Sequence, residues 1–185
     1  MAVAQLHDAP LPAPGTYEID PTHSSVTFSV RHLMVAKVRG HFAVKGGRIE
    51  VEPDPLASSV VATVDAGSVD TRDANRDAHL RSADFFDVEH HPEISFRSSG
   101  VEQVGPGEYR LHGELTIRDV TQPITLTVEY LGAGQTMEGR TTIGFSATTT
   151  LNRKDWGLEW NVALESGGVL VGDKITLTID VEAVK

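Results

Sequence analysis

A chain of 185 residues with a net charge of −10 has the length of one domain, enough to bury about two-thirds of its unfolded surface without crosslinks or metals. The absence of cysteine excludes disulfides, thiolate zinc sites, iron–sulfur clusters and cysteine nucleophiles together. The acidic balance, with a pI near 5.2, argues against sequence-independent nucleic-acid binding, which needs Lys and Arg to displace counterions from phosphates.

The opening MAVAQLHDAPLPAPG has no basic segment and only Met1 to Ala4 before a polar side chain, short of the ~7–15 apolar residues of a secretory core. A cytoplasmic chain without a leader is expected, with residues 1–15 as a flexible lead-in and residues 16–185 as a single domain. No run approaches the ~18 apolar residues of a membrane-crossing helix, so stable membrane insertion is not expected.

From Tyr17 onward the pattern alternates apolar and polar side chains, as half-buried strands do. SVTFSV places Val26, Phe28 and Val30 on one face, and HFAVKGGRIEV does the same with Phe42, Val44 and Ile49. The most basic short run lies between them, Arg31 to Arg39, interrupted by Leu33, Met34, Val35 and Ala36. SVVATVD continues the series. The period then breaks in TRDANRDAHLRSADFF, where Ala74, Ala78, Leu80, Ala83 and Phe86 approach helical spacing behind Thr71 or Asp73 as N-cap. One helix between two groups of strands is predicted.

Strands resume with Phe96 beyond Pro92. In EYRLHGELTIR, Tyr109, Leu111, Leu115 and Ile117 share one face; DVTQP (Asp119 to Pro123) reads as a hairpin turn; ITLTVEY, TTIGFSATT and ITLTIDV bring Ile124, Leu126, Val128, Phe145, Leu177 and Ile179 to the same side. Glycine pairs at Gly46–Gly47, Gly105–Gly107, Gly132–Gly134 and Gly167–Gly168 separate strands or allow bulges. Eight or more strands joined by short turns make an all-β sandwich or barrel. At about ten residues each, the strands span about 33 Å, and a closed barrel of about eight has room for side chains or one ligand. Such an interior is a slot suited to an elongated apolar guest.

Catalytic motifs are sparse. There is no G-x-S-x-G, H-E-x-x-H, phosphate-binding loop or EF-hand, and GAGQTMEG places Met137 where a dinucleotide fingerprint needs its third glycine. His90 and His91 stand among acidic residues, but consecutive residues in extended chain point to opposite sides, and Pro92 favours extended backbone before it. They read as solvated residues ahead of a strand, with no metal. His23, His32 and His79 read as exposed or lid-facing. A histidine-based triad assembled across the fold stays open, which leaves as the alternative a barrel enzyme acting on an apolar ester or quinone.

Four segments, IDPTHSSVTFSVRHLMVAKVRGHF, SVDTRDANRDAHLRSADFFDVEHHPEISF, GELTIRDVTQPITLTVEYLG and LNRKDWGL…VGDKITLTIDVEA, resemble the YceI family of lipocalin-like polyisoprenoid-binding proteins, in order from about Tyr17 to Val184. The similarity rests on Asp20, His23, Ser24, Phe28, His32, Gly40 and Phe42, then on Ser68, Thr71, Arg76, Asp77, Leu80, Phe85, Phe86, Pro92 and Phe96, and on Gly113, Leu115, Thr116, Arg153, Gly157 and Asp173. It implies an extended antiparallel eight-stranded barrel whose apolar cavity takes an isoprenoid chain, as a quinone or prenyl phosphate, in a homodimer that needs no cofactor and performs no catalysis. The sequence departs from the family where His90–His91 replace varied residues before the proline.

The two readings meet at the barrel interior. The expected ligand-binding residues are Val26, Phe28, Val30, Phe42, Phe86, Phe96, Leu115, Ile117, Leu126, Val128 and Phe145, with Trp156 and Trp160 near an end. Arg76, Asp77 and His79 on the helix, with Arg31 and His32 at a strand end, are the expected mouth. The structural alternative for Arg76 and Asp77 is an ion pair and cap network that fixes the helix across the barrel.

Overall fold

A computed structural model describes residues 11–185. Residues 1–10 of the expected lead-in lie outside the described part, and residues 11–14 form no strand or helix. The elements in order are β1 (Gly15–Ile19), β2 (Ser25–His32), β3 (Ala36–Phe42), β4 (Val44–Val51), β5 (Ser59–Asp65), α1 (Ala74–Arg81), β6 (Glu93–Gly105), β7 (Glu108–Ile117), β8 (Val120–Gln135), β9 (Thr141–Asn152) and β10 (Val171–Val184).

The alternation folds as the side chains require. In β8, Ile124, Leu126 and Tyr130 are buried while Thr125, Thr127 and Glu129 are exposed, and a slip of one residue would turn every one of them over. All neighbours are antiparallel, and the order β1-β4-β5-β6-β7-β8-β9-β10 returns to β1, closing a ring of eight. β1 and β2 lie end to end along β10: Glu18 and Ile19 face Val184 and Ala183, while Ser25 to Val30 face Asp180 to Ile175. β3 likewise pairs with β2 ahead of β4, which pairs with β1. The all-β, eight-stranded antiparallel barrel with one helix between strand groups is therefore the fold. No described helix is long and apolar enough to cross a membrane.

One turn differs from the sequence expectation. The β7–β8 turn is Arg118–Asp119, with Arg118 at φ +56°, and Thr121 to Pro123 belong to β8. Pro123 is tolerated there because it pairs with Glu114 of β7 while pairing with β9 begins only at Thr127, so its missing N–H faces an unpaired side. Gly132 takes the second of the two roles expected of the glycine pairs, at a register shift inside β8.

The helix is shorter than its apolar spacing suggests. The Asp73 carboxylate accepts from the Arg76 amide at 3.0 Å, and Ser82 ends α1 by returning its N–H and hydroxyl to the His79 carbonyl. Ala83 to Phe86 then form a turn, with the Phe86 amide donating to the Leu80 carbonyl at 3.0 Å. α1, the Arg118 turn, the β2–β3 turn and the long β9–β10 connection share one end of the barrel; the β4–β5, β6–β7 and β8–β9 turns share the other.

Candidate ligand cavity

The inner faces of the strands surround a cavity of about 320 Å³. Leu80, Phe85, Phe86, Trp156 and Leu158 line it at the α1 end, and Pro12, Pro55, Ser58, Tyr109 and Tyr130 toward the other. Of the apolar side chains expected there, Val26, Phe28 and Val30 of β2, Phe42 of β3, Phe86, Phe96 of β6, Leu115 and Ile117 of β7, Leu126 and Val128 of β8, Phe145 of β9 and Trp156 line it, and Trp160 does not. The Trp156 indole is fixed by donating to the Leu115 carbonyl at 2.9 Å. Among the described residues, the polar lining consists of Ser58, Ser59, Ser95, Tyr109, Tyr130 and Arg153; no Asp, Glu, Lys or His lines the cavity.

Arg153 is 4% exposed and holds the β9–β10 connection against the barrel. Its Nε donates to the Gly172 carbonyl at 2.9 Å and its Nη1 to the carbonyls of Leu158 and Trp160 at 2.6 and 3.0 Å, while Nη2 lies 3.8 Å from the Asp173 carboxylate. Burial lowers its pKa, and Asp173 opposes that shift. Tyr130 is the second buried polar group of the lining. Its Oη has no hydrogen-bond partner among the described residues, and burial raises its pKa, which keeps the phenol neutral.

The expected mouth residues are placed differently. Neither Arg76 nor His79 lines the cavity. Arg76 donates through Nε to Thr71 Oγ1 at 2.7 Å and through Nη2 to the Thr71 carbonyl at 2.8 Å; the buried Asp77 accepts from the Thr71 amide at 2.8 Å and hydroxyl at 2.6 Å. The two charges thus meet through the Thr71 hydroxyl, as a bridged cap network and not as a direct ion pair. His79 Nε2 lies 2.8 Å from Asp84, and its ring stands edge-on to Trp160 and Phe85 with centroids 4.4 and 5.2 Å away. His32 is half-buried and Arg31 exposed, and neither lines the cavity.

His90 and His91 do not point to opposite sides. The amides of both donate to the Asp87 carbonyl, at 3.1 and 2.8 Å, so the segment is a turn, and both rings approach the same carboxylate: His90 Nδ1 at 2.9 Å and His91 Nε2 at 3.9 Å. The hydrogen bond between His90 and Asp87 raises the histidine pKa and lowers that of the acid. A grouping that sequence reasoning missed is Asp20, His23 and Glu182, whose ligand atoms lie within 4.8 Å of one another. It sits outside the cavity lining, and it forms because the β1–β2 turn lies beside β10.

An eight-stranded closed barrel around a nearly all-apolar chamber has the architecture of barrels that enclose one small apolar molecule. The YceI-like domain model matches residues 17–183, and the chain belongs to that family. A UPF0312 protein of Vibrio cholerae is 39% identical over 138 residues, 74% of this chain and 73% of that one. The crystal structure of the Campylobacter jejuni YceI protein superposes with a TM-score of 0.68 at 28% identity, covering 84% of this chain and 89% of that chain. A polyisoprenoid binding domain from Saccharophagus degradans, implicated in plant cell wall breakdown, shares the fold with a TM-score of 0.66 at 17% identity, covering 91% and 97%.

Proposed function

We propose that this barrel holds an isoprenoid lipid and carries or sequesters it without chemical change. The observation that carries the reading is the lining: apolar side chains from all around the ring, with no acid, histidine or lysine among the described lining residues. Burial stabilises such a guest by about 0.8 kcal/mol per methylene, and ordering a flexible chain offsets part of that gain. The polyisoprenoid binding domain of Saccharophagus degradans supports the same ligand class.

A neutral quinone-type head group suits this lining better than a diphosphate. An anion needs cations free to bind it, and of Arg153 the Nε and Nη1 serve three carbonyls while Nη2, without a hydrogen bond among the described residues, faces the opposing charge of Asp173. The enzymatic alternative has less support, since His23, His32 and His79 are absent from the lining. It requires turnover of an ester or quinone that a single His→Ala change abolishes. A homodimer belongs to the same proposal and is read by light scattering.

Organic extraction of the purified protein, followed by mass spectrometry, tests the assignment. Recovery of an isoprenoid at near one per chain is expected. Recovery of none, with no uptake of added isoprenoid quinone, overturns it.

A further inference from the structure

We propose that the β2–β3 hairpin docks the barrel onto an anionic lipid surface. The turn is made by the Val35 amide donating to the His32 carbonyl at 3.2 Å, with Leu33 and Met34 at φ +52° and +63°. Left-handed backbone at both central positions is what Asn-Gly supplies without strain. Here two bulky apolar side chains occupy it instead, and Leu33, Met34 and Val35 are 42%, 51% and 84% exposed. The apolar surface continues onto the β9–β10 connection: the Leu33 amide donates to the Leu170 carbonyl at 2.9 Å, the Leu170 amide to that of Val162 at 2.9 Å, and Val162 is itself exposed.

Cations flank this tip. Arg31 and Lys37 are cross-strand partners and Arg39 lies two pairs further along, all exposed. The other cations of the ribbon are taken, Lys45 by Glu93 and Arg48 by Glu50, whereas Arg31, Lys37 and Arg39 have no ion-pair partner among the described residues. Residues 21–49 hold 5 of the 16 Lys and Arg and none of the 26 Asp and Glu, which leaves 11 cations against all 26 acids elsewhere. The molecule as a whole is repelled by an anionic bilayer. Within a Debye length of about 8 Å, this acid-free ribbon is attracted, which favours presenting the α1 end to the lipid.

The occupant follows from size as well as charge. A stable protein interface buries about 1,000 Å² or more with good complementarity, far more than a three-residue turn offers. A few apolar side chains ringed by Arg and Lys suit the head-group region of an anionic leaflet. Val30, three residues before the tip, lines the cavity, so the docked hairpin is continuous with the cavity wall. The inference does not depend on what the cavity holds.

The test is flotation of the full chain with phosphatidylcholine vesicles, with and without phosphatidylglycerol. Binding only to the anionic vesicles is expected, falling with added salt, and dropping about tenfold or more in two variants: Met34→Ser with Val35→Ser, and Arg31→Gln with Lys37→Gln and Arg39→Gln, each with an unchanged melting temperature. Failure of the parent chain to float overturns the proposal. So does equal flotation of the folded variants. A concentration-dependent dimer that the tip variant abolishes, without vesicle binding, assigns the hairpin to self-association and also overturns it. Extraction of an isoprenoid is a separate readout and can succeed or fail independently.

Discussion

One strand carries two kinds of apolar surface. Along β2, Val26, Phe28 and Val30 line the cavity, shielded by cross-strand neighbours on β3 and β10. Past His32, three more apolar residues stand in the open at the turn. Alternation buries an apolar side chain only while the strand has partners. Where the chain reverses, the same composition becomes surface, and local turn chemistry has been set aside to keep it. The β6–β7 turn at the far end shows the ordinary arrangement: Pro106–Gly107, with Gly107 at φ +69°, the residue type that conformation favours.

That contrast can be broken at the inner end first. Phe28 packs on Phe42 with ring centroids 5.5 Å apart, and Phe28→Ala should cost about 3–5 kcal/mol in chemical denaturation, because a void joins the lost burial. A cost below ~1 kcal/mol would mean that this wall is a ligand surface and contributes little to the core. Gly40, the cross-strand partner of Phe28, comes next. A Cβ there would lie 2.5 Å from Phe28 Cζ and 2.8 Å from Thr71 Cγ2, so Gly40→Ala should lose about 1–3 kcal/mol through displacement of the ring.

At the outer end the sign reverses. Replacing Leu33–Met34 by Asn-Gly should raise stability by about 1–2 kcal/mol by removing left-handed strain, while reducing flotation with anionic vesicles. A destabilised Asn-Gly variant would show that these side chains serve the fold.

The smallest effect lies just before β2. His23 Nδ1 is 2.8 Å from Asp20 Oδ2, and that hydrogen bond, then the charges of Asp20 and Glu182, raise the histidine above its ordinary 6.5. Its contribution is present in full below pH 6.5 and is lost as pH rises through the raised folded value. Asp20 is depressed by the same pairing, so its share is present above its ordinary 3.8 and fades as pH falls toward the lowered one. Proton NMR titration should place the His23 midpoint above 6.5, and Asp20→Asn should return it toward the ordinary value.

Much of the barrel was legible because the period of two is strict in β7, β8 and β10 and fixes which face turns inward. The cavity wall followed from the same rule. Displaced features depend on information the local pattern lacks. Arg118 and Asp87 adopt positive φ without a glycine to announce it, which moved one turn and hid another. Ser82 ended the helix before its apolar spacing ran out. The roles of Arg76 and Asp77 required Thr71 to come between them, and Asp20 met Glu182 only because β1 and β10, at opposite ends of the chain, close the ring.

Closure of that ring also governs exchange. Where β1 joins β4 to β10 the wall is hydrogen-bonded all the way round, whereas toward α1 the free side of β3 is tied, among the described residues, only by the His41–Asp70 bridge. A long guest seated in the closed part would have to be exchanged lengthwise through an end, with residence time growing with the length of chain to be withdrawn.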